Sequence, residues 1–161
     1  PAGPGFAWYN LGPDPETGGF TRDITEINAC TAALKQWLDA LESSHGELQG
    51  LSLLGFSQGG SMAIQLLREM PERIDSVVLL ASFVTEDHSP ETQARDAALA
   101  EMSPRVFWGR DPRDPVIGEN LIAYTRKWLP EHTELEERLY ANVGHSLSIE
   151  ELEDVAEFLQ S

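Results

Sequence analysis

The sequence predicts one α/β domain over residues 1–161, built on a parallel β-sheet with helices on both faces. Short continuous apolar runs, such as residues 77–81, are typical of strands buried inside a sheet. Segments with helical periodicity separate these runs. Because strands that alternate with helices are typical of parallel sheets with crossover connections, the pattern indicates this fold class. A length of 161 residues fits a single domain.

The first half of the chain predicts a loop, a helix, a strand and a second helix. Residues 1–20 are rich in proline and glycine and carry four aromatic side chains, which indicates an irregular loop ordered by its aromatics. Apolar side chains recur at steps of three and four over residues 22–44, which predicts an amphipathic helix. Residues 51–54 form a short apolar run and predict a buried strand. The helical pattern that follows, over residues 58–70, is stopped by Pro71.

Three further strands follow, at residues 77–81, 105–108 and 135–140. The first is apolar throughout and the second is apolar after Arg105, whereas the last alternates apolar and charged residues, which favours a position nearer a sheet edge. A helix is predicted within residues 85–101, which are polar and rich in alanine, and another over residues 119–129, ending at Pro130. Residues 148–151 read Ser-Ile-Glu-Glu, a capping box that opens a last helix.

Charge and cysteine content restrict the class of protein. The formal net charge of −16 repels phosphate backbones, so nucleic-acid binding is not expected. No run approaches the ~18 apolar residues of a membrane helix, so no membrane span is expected. Cys30 is the only cysteine, which excludes an intramolecular disulfide, fits a reducing compartment and predicts a cytoplasmic protein. Cys30 lies in the helical pattern and is expected to fill the core.

The strongest motif is Gly55-Phe56-Ser57-Gln58-Gly59, which lies between a predicted strand and a predicted helix. G-x-S-x-G in this context is typical of a nucleophile elbow, a turn so tight that the serine backbone is strained. Side chains at the two flanking glycines would collide with neighbouring backbone. The alternative is a phosphate loop or a plain turn, but the spacing G-x-x-x-x-G-K-[ST] is absent. The motif therefore predicts Ser57 as a nucleophile.

A serine nucleophile needs a base and an acid that orients the base. In the α/β-hydrolase fold the chain order is serine, then an acid, then histidine. His145 directly follows the last strand, so it is expected at the same sheet edge as Ser57. The other three histidines are less suitable as the base. His45 precedes Ser57, His88 lies in the polar segment before the third strand, and His132 is predicted to be a solvated loop residue.

Two aspartates follow the third strand of the predicted sheet. Asp111 and Asp114 each precede a proline, and each is open to interpretation as a turn former. Asp114 leads into the apolar pair Val116-Ile117, which would anchor the loop near the site. The sequence therefore favours Asp114 over Asp111 as the acid.

Together these residues resemble the phospholipase/carboxylesterase family of α/β-hydrolases, which includes the acyl-protein thioesterases. Residues 54–60, Leu-Gly-Phe-Ser-Gln-Gly-Gly, are similar to the family's nucleophile motif, and residues 109–117 to a stretched form of its acid motif. Residues 144–146 are similar to its G-H motif. Residues 1–9 resemble the P-x-x-P…W-[FY] segment that follows an early strand.

The resemblance implies a serine esterase that needs no metal or cofactor, with small-molecule carboxylic or thio esters as substrates. It also implies that the backbone N–H of Gln58 is one oxyanion donor. Trp8, Phe56 and Trp108 are candidates for the walls of an acyl pocket. Because a histidine base must be neutral, activity is expected to fall below about pH 6–7.

Family members have strands before the P-x-x-P segment, and a loop among them supplies a second oxyanion donor. This sequence shows neither. At ~30 residues per βα unit, we expect a complete domain to hold about 50 more residues, with residues 1–161 as its C-terminal two-thirds to three-quarters. The alternative is a non-catalytic module or inactive fragment. An uncovered sheet edge also predicts a homodimer or pairing with the N-terminal segment.

Overall fold

The structure is a computed structural model and describes residues 5–13, 20–46 and 48–161. The chain divides into two compact units, residues 1–49 and residues 50–161. The first unit contains β1 (Leu11–Pro13), β2 (Phe20–Arg22) and α1 (Ile24–His45). The second contains β3 (Ser52–Phe56), α2 (Gln58–Glu69), a 3₁₀ turn (Pro71–Arg73), β4 (Ser76–Leu80), α3 (Pro90–Met102), β5 (Arg105–Arg110), α4 (Glu119–His132), β6 (Glu134–Leu139) and α5 (Ile149–Gln160). The prediction of one domain over residues 1–161 stays a prediction.

The first unit departs from the predicted loop. β1 and β2 pair as a short antiparallel ladder, although an irregular loop was expected. Residues 1–4 and 14–19 of that predicted loop lie outside the described residues. The helix predicted over residues 22–44 is confirmed as α1, and the carboxylate of Asp23 caps its N-terminus by accepting from Thr25 N at 2.8 Å. Cys30 is half-buried and its Sγ donates to the carbonyl of Trp8, so the prediction that it fills the core is wrong.

The second unit is built on a parallel sheet in the order β3-β4-β5-β6. Successive strands are neighbours, and α2, α3 and α4 make the connections between them. This confirms the predicted fold class, because each parallel pair requires a crossover. The prediction that β6 lies at a sheet edge is also confirmed: among the described residues it pairs with β5 alone.

Helices cover both faces of this sheet. Val78, Leu80 and Phe107 pack against Val155 and Phe158 of α5. Successive strand residues point to opposite faces, so Leu79 lies on the other face. Gly55 pairs with Leu79 in register and touches the start of α2, so α2 lies opposite α5.

The prediction that β3 is buried is wrong. Leu54 is 57% exposed and Phe56 is 39% exposed. Among the described residues β3 pairs only with β4, and Leu54 and Phe56 lie on the sheet face opposite α2. Its apolar composition therefore does not correspond to burial in this chain.

One helix boundary also differs from prediction. α4 continues through Pro130 to His132, three residues beyond the expected end. Pro130 lies in the last turn, where a missing N–H removes one hydrogen bond but the helix has little further to run. α3 begins at Pro90, which sits at the first helical position behind the cap Ser89. None of the helices in the described part of the chain is long and apolar enough to cross a membrane.

Candidate active site

The three side chains predicted to act together follow three different strands of the sheet. Ser57 follows β3, Asp114 follows β5 and His145 follows β6. Because β3, β4, β5 and β6 are parallel, their carboxyl ends meet at one edge of the sheet. His145 Nε2 lies 3.0 Å from Ser57 Oγ, and His145 Nδ1 lies 2.7 Å from Asp114 Oδ2. The structure therefore brings the three side chains into one hydrogen-bonded row.

Ser57 lies in a strained turn between β3 and α2. Its backbone has φ 52° and ψ −121°, a conformation that non-glycine residues rarely adopt. Surrounding backbone fixes this turn: Ser57 N donates to the carbonyl of Leu80 at 2.9 Å. The hydroxyl of Ser82 donates to the carbonyl of Ser57 at 2.6 Å. Strain held by such contacts raises the serine hydroxyl above the sheet edge.

Glycines make the turn possible because α2 passes directly over the end of β3. A Cβ on Gly55 would lie 2.3 Å from the backbone of Gly59 and Gly60. A Cβ on Gly60 would lie 2.3 Å from Ser82 Oγ and 2.9 Å from the carbonyl oxygen of Gly55. The collision expected at Gly55 is confirmed, and Gly60 is a second position where only glycine fits without a shift.

Asp114 is held in place by the backbone of its own loop, residues 111–118, which we call the acid loop. Its Oδ1 accepts from Val116 N at 2.7 Å and from Ile117 N at 3.2 Å, which leaves Oδ2 for His145. The Asp114 side chain is only 3% exposed. Ile117 is buried against Phe83 and anchors the loop as expected, whereas Val116 is 46% exposed.

His145 lies in the irregular connection between β6 and α5, residues 140–148, which we call the histidine loop. Its side chain is 18% exposed, and its ring packs 4.9 Å from the ring of Phe56 at a tilt of 48°. His88 is exposed and contacts Glu86. His132 does not lie in a solvated loop as expected, because α4 extends to include it.

Asp111, the rejected candidate for the acid, has a different set of partners. Its Oδ2 accepts from Gly144 N at 2.7 Å, and its Oδ1 accepts from Arg113 N at 2.8 Å. These backbone N–H groups, Gly144 first, hold the pKa of Asp111 below its ordinary value. The structure therefore places Asp114, and not Asp111, against His145.

Of the predicted pocket residues, Phe56 is exposed and packs against His145 of the row. Trp108 is fully buried and its Nε1 donates to the carbonyl of Ser82 at 3.0 Å. Trp108 therefore packs in the core and the pocket role predicted for it is wrong. Trp8 lies in the first unit with 46% of its side chain exposed, and its pocket role stays a prediction.

Sequence reasoning missed the contributions of Ser82 and Asp111 to this site. Ser82 follows β4 at the same sheet edge, and its hydroxyl supports the Ser57 turn. Position at a strand end was the available signal, but serine is common in loops and carries no distinctive pattern. The link from Asp111 to Gly144 joins residues 33 positions apart, which no local pattern encodes.

Gln58 is the first residue of α2, directly after Ser57. Peptide dipoles give a helix N-terminus partial positive charge, which favours an anion that develops beside it. Gln58 therefore lies at the positive end of the α2 dipole, directly after Ser57.

With this geometry in place, comparison with known proteins decides the family. Residues 2–161 match the family model described as phospholipase/carboxylesterase. The chain belongs to this family. Acyl-protein thioesterase 1 of Saccharomyces cerevisiae is 24% identical over 160 residues, covering 96% of this chain and 67% of that protein.

Solved structures of the family share the fold. A carboxylesterase from Mesorhizobium loti superposes with a TM-score of 0.76 at 22% identity, covering all of this chain and 71% of that one. Acyl-protein thioesterase 2 of Zea mays gives a TM-score of 0.72 at 18% identity, covering 96% of this chain and 71% of that one. The chain therefore has the α/β-hydrolase fold.

Proposed function

We propose that this protein is a serine hydrolase that cleaves small carboxylic esters, or thioesters, through an acyl-enzyme. The observation that carries the proposal is the row Ser57–His145–Asp114, with contacts of 3.0 and 2.7 Å at the carboxyl edge of the sheet. Membership of the phospholipase/carboxylesterase family supports the reaction class. The names of its relatives, carboxylesterase and acyl-protein thioesterase, support both kinds of ester.

The first step transfers the acyl group to the serine. His145 Nε2 accepts the proton of Ser57 Oγ as that oxygen attacks the carbonyl carbon. Negative charge develops on the carbonyl oxygen, and the backbone N–H of Gln58 is one donor to it. His145 then gives its proton to the leaving alcohol or thiol, and the Ser57 ester remains.

The second step repeats the chemistry with water. His145 takes a proton from the water that attacks the acyl carbon, and then returns a proton to Ser57 Oγ as the carboxylic acid leaves. Asp114 stays ionised throughout, because its task is to orient the imidazole and stabilise the imidazolium. Its two backbone donors, Val116 N and Ile117 N, hold the carboxylate in place beside the imidazole.

Phe56 is the side chain best placed to meet an acyl group. It immediately precedes the nucleophile, is 39% exposed and packs against the imidazole. An apolar surface at the reacting atoms favours substrates with an apolar acyl chain. A single half-exposed ring covers a short chain, so small acyl esters are the expected substrates.

The test combines active-site labelling with an ester panel. A fluorophosphonate is expected to label the folded wild type at Ser57, and p-nitrophenyl acetate, butyrate and octanoate should be hydrolysed with a preference for the shorter chains. Ser57→Ala should abolish labelling and hydrolysis. Ser43→Ala, at an exposed serine on α1 whose hydroxyl donates to the carbonyl of Asp39, is the matched control and should retain both. A folded wild type that neither labels nor hydrolyses any ester would refute the proposal.

A second candidate function is a non-catalytic module that pairs through β3. The observation that favours it is exposed apolar surface on a strand with one partner in the described sheet, at Leu54 and Phe56. Such an edge favours pairing with a second copy or with an N-terminal segment. Labelling of Ser57 argues for the enzyme, whereas a stable dimer without labelling, measured by light scattering, argues for the module.

A further inference from the structure

We propose that Asp111 is a positioning residue for His145, because its carboxylate ties the backbone of the histidine loop to the acid loop. This inference rests on the proposed hydrolase function and identifies what sets the position of its base. Asp111 is 4% exposed and follows directly after β5. It neither touches the reacting atoms nor contributes to the row itself.

The hydrogen bonds of Asp111 reach both loops at once. Its Oδ2 accepts from Gly144 N at 2.7 Å, one residue before His145. Its Oδ1 accepts from Arg113 N at 2.8 Å, one residue before Asp114. The carbonyl of Asp111 also accepts from Asp114 N at 3.3 Å. One residue thus fixes the backbone next to the base and next to the acid.

The histidine loop needs such a tie because it lies beyond regular pairing. The ladder between β5 and β6 extends as far as Tyr140 N, which donates to the carbonyl of Arg110 at 2.9 Å. Asn142 and Gly144 then adopt left-handed backbone, with φ 66° and 68°. An imidazole that must meet Ser57 and Asp114 together tolerates little movement of this backbone.

A second contact, between two side chains, also links the acid loop to the histidine loop. Arg113 Nη2 donates to Asn142 Oδ1 at 2.7 Å, again between the acid loop and the histidine loop. That contact is exposed, whereas the bond from Gly144 is part-buried. Exposed polar contacts contribute little, so the carboxylate of Asp111 is the stronger of the two ties.

Charge makes the tie persistent. Donation from Gly144 N and Arg113 N lowers the pKa of Asp111, so the carboxylate stays ionised through the neutral range. An acid whose pKa is lowered in the folded state contributes stability above its unfolded pKa. That contribution is lost as the pH falls through the lowered pKa, and the hold on His145 is lost with it.

The mutational test compares Asp111→Asn with a matched control, Asp87→Asn. Asp87 also accepts a backbone N–H in its own loop, from Ser89 at 2.9 Å, and its pKa is also lowered, but it touches neither the acid loop nor the histidine loop. In Asp111→Asn one carboxylate oxygen becomes an NH₂ group, which cannot accept a hydrogen bond. That group would face one of the two backbone donors, Gly144 N or Arg113 N. Since a misplacement of ~1 Å costs about 10²-fold, kcat is expected to fall about 10- to 100-fold with KM unchanged.

Asp87→Asn should keep the wild-type kcat at a temperature where both variants are folded. The proton NMR signal of the His145 Nδ1–H, which reports its bond to Asp114, should move or broaden in Asp111→Asn only. Asp111→Asn with wild-type kcat and an unchanged His145 signal would overturn the inference, even with a lower melting temperature.

A measurement on the wild type covers the case in which Asp111→Asn does not fold. The amide proton shift of Gly144 should follow a single titration with a midpoint below the ordinary aspartate value of about 3.9. An amide that does not respond to that titration would contradict the tie. Both NMR readouts are independent of turnover, so an inactive wild type would refute the hydrolase proposal without deciding the role of Asp111.

Discussion

Gly60→Ala tests whether packing between α2 and the end of β4 holds the nucleophile in place. The new Cβ would lie 2.3 Å from Ser82 Oγ, 2.6 Å from Ser82 Cβ and 2.9 Å from the carbonyl oxygen of Gly55. Gly60 is buried and Ser82 is fully buried, so the Ser82 side chain cannot move into solvent to relieve the clash. The clash falls on the hydroxyl that donates to the carbonyl of Ser57.

The expected cost follows from three contributions. Overpacking a buried position costs ~1–3 kcal/mol. Loss of the hydrogen bond from Ser82 to Ser57 adds about 1 kcal/mol, and the better helix propensity of alanine returns up to ~1 kcal/mol. The net destabilisation is about 2 kcal/mol, which for a chain of this size lowers Tm by roughly 4–8 °C. A shift of Ser57 by ~1 Å lowers kcat about 10²-fold.

The assay measures Tm by calorimetry and kcat with a short p-nitrophenyl ester. Gly118→Ala is the matched control, because it makes the same change at the N-terminus of α4, where the new Cβ meets only Oδ1 of Asn120 at 2.9 Å. That flexible side chain can move away, so the cost is below about 1 kcal/mol and Tm falls by no more than about 4 °C. Equal effects of the two substitutions would refute the reasoning.

Removing the Ser82 side chain should restore part of the stability that Gly60→Ala loses. Ser82→Gly deletes both atoms of the closest clash, so Gly60→Ala should cost less in that background than in the wild type. The contact with the Gly55 carbonyl remains, so recovery is expected to be partial. Strict additivity of the two substitutions would show that the clash with Ser82 is not the cause.

Two further substitutions test buried charges away from the row. Burial raises the pKa of Glu151, so Glu151→Gln should raise Tm at neutral pH. This gain should shrink as the pH falls and both states of the wild type become protonated. The control Glu150→Gln, at an exposed neighbour, removes no buried carboxylate and should raise Tm by less. Arg68→Leu leaves Asp96 buried without the guanidinium that it meets at 2.7 Å, at a cost of ~3 kcal/mol or roughly 6–12 °C in Tm. Arg95→Leu, at a partly exposed ion pair, should lower Tm by no more than about 4 °C, and an equal fall for both arginines would contradict the role of burial.

Local patterns in the sequence predicted the elements whose formation depends on near neighbours. Apolar runs and apolar periodicity located α1, α2 and the four strands of the parallel sheet within a few residues. The capping box was correct as well, since Ser148 Oγ accepts from Glu151 N at 3.0 Å at the start of α5. The elbow was predictable for the same reason: the residues that force the turn adjoin Ser57 in the chain.

The sequence favoured Asp114 over Asp111 as the acid but did not decide between them, because both share the same local pattern of an aspartate before a proline. Three-dimensional contacts separate them: Asp114 meets the imidazole, and Asp111 meets the backbone of Gly144. An aromatic residue near a strand end is similarly ambiguous. Trp108 is core because its indole N–H finds a carbonyl inside the protein.

The sequence alone determined that the chain alternates strands and helices and carries a serine in a glycine-lined turn, because short-range sterics and periodicity act within a few residues. Only the tertiary structure decided which carboxylate meets His145, which carboxylate holds its loop, and which apolar residues of β3 stay exposed. Those outcomes depend on contacts between segments far apart in the chain, and side-chain type by itself does not specify its distant partner.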